Sequence, residues 1–348
     1  MSRTITVWGS PGSGKSMFCC ILAKALTRDK RKALIINAEP GTPMLPIWLP
    51  EQAAGAESSI GQVLSSVEID TSLIASHVTV LKNYPFIGLM GYSAGETPLS
   101  YPDADYRMVL QLISAARSMV DFLILDCSSG MTNVFTPAAI ESGDLVVRIL
   151  TPDLKGINYL KAHQPLLTDG RFHYSQHMTF AGMARPFHAF DEMGYIIGGF
   201  DGLLPYGKEI DRCATEGGMF QAVKYCNSKY TASLNKVLDA LEQMETAEQQ
   251  EDDWQDEDSR QETAYDEDSC PQGGYRNPDE LPYDEEPYES GTHRHGRFGK
   301  PKQGKRLRHE DRTVKPAGNP LSDGTASAFS YNGSADSGYG YWEEDADE

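Results

Sequence analysis

The sequence predicts an α/β fold: a mostly parallel sheet with helices on both faces, followed by a disordered acidic tail. Three observations lead there. Short apolar runs alternate with stretches of helical periodicity, the pattern of a sheet covered on both faces. The first apolar run leads directly into a glycine-rich loop and then a helical stretch. The composition also changes near residue 243. Residues 244–348 hold 27 Asp and Glu against 11 Lys and Arg, whereas residues 1–243 hold 23 against 20. A near-neutral, apolar-rich stretch of that length can bury a core. The remainder, poor in aliphatics and rich in Asp, Glu, Gly, Ser, Pro and Tyr, cannot bury enough to offset ordering. A folded domain over 1–243 and a disordered tail over 244–348 are expected.

In chain order, residues 3–8 read as a buried strand and 15–28 as a helix; ALIIN at 33–37 is a second strand. Helical periodicity runs over 59–76 and 105–119. Strands are expected at 78–82, 121–126, 144–150 and 178–183. The last helix, 228–243, carries Leu234, Val237, Leu238 and Leu241 on one face, which suits packing on the sheet. It continues into Glu245, Glu248, Glu251, Asp252 and Asp253, the wrong charge for a helix lying on a membrane. Within the tail, residues 293–315 form a basic block between acidic flanks, with tyrosines scattered throughout. Such a block either touches nucleic acid or anionic lipid, or is neutralised by its own flanks.

Cys19, Cys20, Cys127, Cys213, Cys226 and Cys270 form no C-x-x-C pair and no metal-ligand spacing, so they read as reduced thiols of a cytosolic protein. No run of about 18 apolar residues exists to span a membrane. The N-terminus enters the glycine loop almost at once, without the pattern of a signal peptide. The expected location is cytoplasmic.

The glycine loop, WGSPGSGKS from Trp8 to Ser16, matches G-x-x-x-x-G-K-[S/T] in full and lies between a strand and a helix, the context that gives this motif its meaning. Gly9, Gly12 and Gly14 let the backbone curl so that successive N–H groups point inward. Ser10, Pro11 and Ser13 complete the curl, and Met17 lies in the first turn of the helix whose positive end faces the same anion. Lys15 is placed to reach the β- and γ-phosphates of a nucleotide, and Ser16 to ligate Mg²⁺. The metal needs a carboxylate, and Asp126 closes the strand VDFLILD at the end where ligands bind. Asp126 could instead merely cap the next turn.

Beyond the loop, IINAEPGTPML, FLILDCSSG, LTPDLKGINYL and FDGLLPYGKEIDRCATEGG follow in order. With that set the chain resembles the MinD/ParA-type P-loop ATPases over about residues 1–240. It looks most like the TadZ/CpaE-like ATPases of pilus assembly and Tad-type secretion, on the VWGSPGSGKS opening, the segment PGTPMLPIWLP and the pairing of LDCSS with LTPDLKGINYLKAHQPLL. The resemblance implies an ATP- and Mg²⁺-dependent homodimer. It places Asp153 and Pro205 near the base and ribose, although turn chemistry alone explains both. Two departures matter. The family's signature lysine, which reaches the partner's phosphates, is replaced by Ser10. Its D-x-D after the second strand becomes Asn37-Ala38-Glu39, leaving Glu39 to orient a water, unless it is only a surface turn acid, and Asn37 unable to act as a base.

Four functions fit to different degrees. The first is a slow nucleotide-gated ATPase that positions a pilus or secretion machine and recruits protein partners through its tail. The second is a DNA-partitioning or conjugation-associated ATPase, disfavoured by the near-neutral first 243 residues because DNA binding runs on Lys and Arg contacts. The third is a nucleotide-dependent scaffold without useful hydrolysis, favoured by Ser10 and Asn37. A small-molecule kinase would need a base and a substrate pocket that the sequence does not identify.

Overall fold

The computed structural model describes residues 2–49 and 59–264. Eight strands form one sheet: β1 (Arg3–Gly9), β2 (Ala33–Asn37), β3 (Thr79–Leu81), β4 (Tyr84–Met90), β5 (Phe122–Asp126), β6 (Leu145–Leu150), β7 (Met178–Ala184) and β8 (Gly202–Pro205). Their order is β3-β4-β2-β5-β1-β6-β7-β8. All neighbours pair in parallel except the edge pair β3 and β4. The mostly parallel sheet expected from the sequence is therefore present.

Ten helices connect and cover the strands: α1 (Lys15–Leu26), α2 (Leu45–Trp48), α3 (Ile60–Leu64), α4 (Thr71–His77), α5 (Tyr106–Arg117), α6 (Phe135–Ser142), α7 (Leu154–His163), α8 (Phe190–Ile197), α9 (Lys208–Thr215) and α10 (Ser228–Ala264). Alternate residues of each strand feed two cores. Ile5, Val7, Ile35, Ile124 and Val147 pack with α1 and with Leu234, Val237 and Leu241 of α10. Leu34, Ile36, Leu123 and Leu125 pack on the opposite face with α5 and α6, through Leu112, Ile113, Phe135 and Ile140. Helices thus lie on both faces, as period-2 alternation requires.

Three local differences from the sequence reading have physical reasons. The helical stretch 59–76 is two helices, because Ser65 and Ser66 bond back to the carbonyls of Gly61 and Gln62. Asp70 then caps a new helix by accepting from Leu73 N at 2.7 Å. The strand β4 has no expectation behind it, since Pro85 and Gly88 mask its pattern. It nonetheless supplies the parallel neighbour of β2. Finally, α10 continues past 243 to Ala264, through a stretch rich in Glu and Gln, both good helix formers. The rest of the expected tail, including the basic block at 293–315, lies outside the described residues.

Beside β6 and β7 sits a buried polar group. Arg148 Nε and Nη2 donate to Thr179 Oγ1 at 3.1 and 2.6 Å, and the guanidinium lies 4.5 Å from the Tyr174 ring. His177, 7 % exposed, donates through Nε2 to Phe172 O at 2.7 Å. Burial is the main cause that lowers its pKa to about 4, with Arg148 and His173 adding to it against the bond to Phe172. A depressed histidine contributes stability above its unfolded value that is lost as pH falls through the folded one. Stability is expected to drop by about 3 kcal/mol on going from pH 6.5 to 4 on account of this group. Urea titrations across that range should show the His177→Gln chain losing less; an unchanged slope would place the acid sensitivity elsewhere.

Candidate phosphate-binding site

The site is built where β1 meets α1. At Gly9, φ is +142° and a Cβ would lie 1.9 Å from Ile149 O, so the loop starts pressed against β6. Ser10 N donates to that same carbonyl at 3.0 Å. Gly14 caps α1 in the left-handed conformation, with φ +89° and no side-chain cap. The first N–H groups of α1 therefore remain available to an anion, with the helix dipole behind them. Gly12, also left-handed at φ +69°, has open space around its missing side chain.

Side chains converge behind the loop. Lys15 Nζ donates to Gly9 O at 3.3 Å, Ser10 O at 3.2 Å and Ser129 Oγ at 2.7 Å. Burial holds its pKa below the ordinary lysine value, while Asp126 and then Glu39 pull it back up. Asp126, 1 % exposed, accepts from Asn37 Nδ2 at 2.8 Å through Oδ2. Its Oδ1 is buried and finds no hydrogen-bond partner among the described residues. Burial raises the Asp126 pKa, opposed by the neighbouring Ser16 hydroxyl, Lys15 and Asn37. An anionic oxygen left unsatisfied beside a hydroxyl suits a hard cation. No group of three His, Cys, Asp or Glu residues able to hold a metal occurs among the described residues. A Mg²⁺ held mainly by substrate phosphates needs only one or two carboxylates, so the residues present fit that ion.

Around this centre the expected residues divide. A cavity of about 280 Å³ opens beside the loop, lined by Ser16, Met17, Pro205, Tyr206, Ile210 and Tyr230 among others. Pro11 and Gly12 are exposed, and Gly12 lines the cavity. Glu39 is half-buried, accepts from Gly41 N at 3.0 Å, and lies close enough to Lys15 and Asp126 to influence both. Asp153 does not line the cavity: its Oδ1 caps α7 by accepting from Gly156 N at 2.8 Å and also accepts from Thr151 Oγ1 at 2.9 Å. Ser10, 1 % exposed, turns inward and accepts from Thr151 N at 2.8 Å. A side chain in that position cannot project toward a second chain.

Other contributors escaped the sequence reading. Ser129 touches Lys15, and Tyr159 of α7 donates to Ser129 O at 2.8 Å. The signal for Ser129 was its place three residues after Asp126, in FLILDCSSG. Gly182 of β7 lies under the loop, where a Cβ would meet Ser13 O at 2.1 Å. A lone glycine inside a strand signals such a close approach. The next residue, Met183, has φ +52° at a register shift between β7 and β8 and points into the cavity. A bulge that re-aims a side chain beside a site is a recurring device.

A strand, a complete phosphate loop, a helix and a facing strand-end carboxylate in a mostly parallel sheet make a P-loop fold, and the sheet as a whole is like that of the MinD/ParA P-loop NTPases. Its structural neighbours are ATPases of that kind. The ParA family ATPase from Chlorobium tepidum superposes with a TM-score of 0.57 at 19% identity, covering 68% of this chain and 98% of that one. The cell division ATPase MinD from Pyrococcus furiosus gives 0.51 at 19% identity, with 69% and 100% covered. MinD from Pyrococcus horikoshii, complexed with Mg-ADP, gives 0.52 at 17% identity, with 67% and 93% covered. Neither a protein-family model nor a curated protein sequence matches the chain. Among the described residues, no helix is long and apolar enough to cross a membrane.

Proposed function

We propose that the chain binds ATP with Mg²⁺ and hydrolyses it slowly, serving as a nucleotide-gated switch that positions or assembles a larger machine. The observation that carries this is the pairing of a complete phosphate loop with an inward-turned Ser10. The loop amides, Lys15, Ser16 and Asp126 suffice to hold a nucleotide, and a neighbour of the same fold is complexed with Mg-ADP. Ser16 and Asp126 would hold the ion, which when bound neutralises charge on the phosphates. Met17 and Pro205 would face the base and ribose; Asp153 would act on them only through α7. Phosphoryl transfer rests on positioning and charge. A trans cation missing at Ser10 would cost on the order of 10³-fold or more in rate, by analogy with arginine fingers. The role that follows is a switch more than an engine.

On the TadZ/CpaE-like resemblance, the switch works in the cytoplasm as an ATP-dependent homodimer at a pilus or secretion machine. The test is turnover together with oligomeric state by light scattering, with and without MgATP, beside Lys15→Ala and Glu39→Ala. Slow turnover lost in both variants, with dimers formed only by MgATP, is expected. Turnover unaffected by Glu39→Ala would remove Glu39 from the chemistry, and tight ATP binding with no turnover above the Lys15→Ala background would make the protein a scaffold. Retention on DNA that weakens with salt would favour the partition reading, which a plasmid partition protein among the structural neighbours keeps in view.

A further inference from the structure

Lysine has three N–H donors, and those of Lys15 meet three acceptors, Gly9 O, Ser10 O and Ser129 Oγ. A phosphate oxygen can engage this ammonium well only by taking one of those places. Gly9 and Ser10 belong to the phosphate loop itself. Ser129 belongs to the turn after β5, and it makes the shortest of the three bonds at 2.7 Å. The same residue accepts the Tyr159 hydroxyl on its carbonyl. Tyr159 sits in α7, its ring 4.1 Å from His163 and 6.2 Å from Trp8 of β1.

The start of α7 is tied differently. Ser10 Oγ accepts from Thr151 N, Thr151 Oγ1 donates to Asp153, and Asp153 caps the helix at Gly156 N. A Cβ on Gly156 would lie 2.0 Å from Thr151 O, so the helix start has no slack against that turn. Helix α7 is thus joined to the phosphate loop twice, by a close-packed tie at its N-terminus and by an exchangeable one through Ser129.

We propose that Ser129 is a positioning residue for Lys15, which it holds until a triphosphate takes its place, and that Tyr159 passes this exchange to α7. The proposal rests on the nucleotide-switch reading and deepens it: the position of the absent signature lysine, Ser10, anchors the helix that reads the nucleotide. Helix α8, packed on α7, follows it.

The experiment titrates MgATP into the full chain, into Ser129→Ala, Ser129→Thr and Tyr159→Phe, and into Lys15→Ala as reference. Hydrogen exchange is followed over residues 154–163. Removing the competing hydroxyl is expected to tighten ATP binding about fivefold, the scale of one net hydrogen bond. Ser129→Thr, which keeps the hydroxyl, restores the original affinity. In the unaltered chain ATP speeds exchange around Tyr159, whereas in Tyr159→Phe exchange is already fast and ATP adds nothing. ATP binding that is unchanged or weakened in Ser129→Ala overturns the proposal, as does an α7 whose exchange ignores ATP. If the unaltered chain binds ATP no better than Lys15→Ala, the nucleotide reading itself fails and takes this proposal with it.

Discussion

Asp126→Asn is expected to make the protein alone more stable while removing its stabilisation by MgATP. The carboxyl is buried and its pKa is raised. That net direction already includes the attraction of Lys15 and the bond from Asn37, so burial outweighs them and the ionised form is disfavoured in the fold. A raised carboxylate contributes stability below its unfolded value that is lost as pH rises through the folded one, so near neutrality the charge is a cost. Asparagine keeps the shape and can still accept from Asn37, and it relieves the unpaired anionic Oδ1. A gain of about 1 kcal/mol, a few degrees in Tm, is the expected scale. The same replacement removes the carboxylate beside the Ser16 hydroxyl that would hold the ion. Since a metal's charge neutralisation is worth several kcal/mol, MgATP affinity should fall about 100-fold. Thermal melts with and without MgATP check both halves. A variant that melts lower on its own, or that MgATP still stabilises as in the original chain, would refute the account of Asp126.

The two halves of that prediction were unequally legible in the sequence. Lys15, Ser16 and Asp126 stood out as candidates because their signals are local: a loop of fixed spacing and an acid ending an apolar strand. The sheet was legible for the same reason at β1, β2, β5, β6 and β7, each dominated by apolar or β-branched residues. The strand β4 was not, because Pro85 and Gly88 interrupt its apolar pattern, and Gly88 is needed where a Cβ would lie 2.8 Å from Val78 Cγ1 beside the facing β3. Asn37 was read as a lost acid, whereas its amide holds Asp126 across one strand register. Asp153 carried the right turn chemistry, but whether a capping aspartate also touches a ligand depends on which way α7 runs from it. Long-range pairings such as Lys15 with Ser129 and Ser10 with Thr151 join residues more than a hundred positions apart, and no periodicity encodes them.

Gly182→Ala tests the least local of these dependencies. The added methyl would lie 2.1 Å from Ser13 O and 2.5 Å from Ile149 Cγ2, and the first of these is backbone that cannot rotate aside. Either β7 moves away from β6 or the phosphate loop lifts. The loop is the softer of the two, because β6 and β7 share a ladder of four registered pairs, while the loop between Ser10 and Lys15 has no such ladder. A displacement of about 1 Å in a site that works by aimed amides costs on the order of 10²-fold, so ATP affinity should fall by roughly that factor. Overpacking alone should cost about 1–3 kcal/mol of stability. Gly88→Ala supplies the control: it meets Val78 Cγ1 at 2.8 Å and Leu34 Cδ1 at 3.3 Å, side-chain ends that can rotate and that do not belong to the loop. It should lower stability and leave ATP affinity as it was. Equal losses of affinity in the two variants would show that binding follows global stability. A Gly182→Ala chain that binds ATP normally would mean that β7 does not set the height of the phosphate loop.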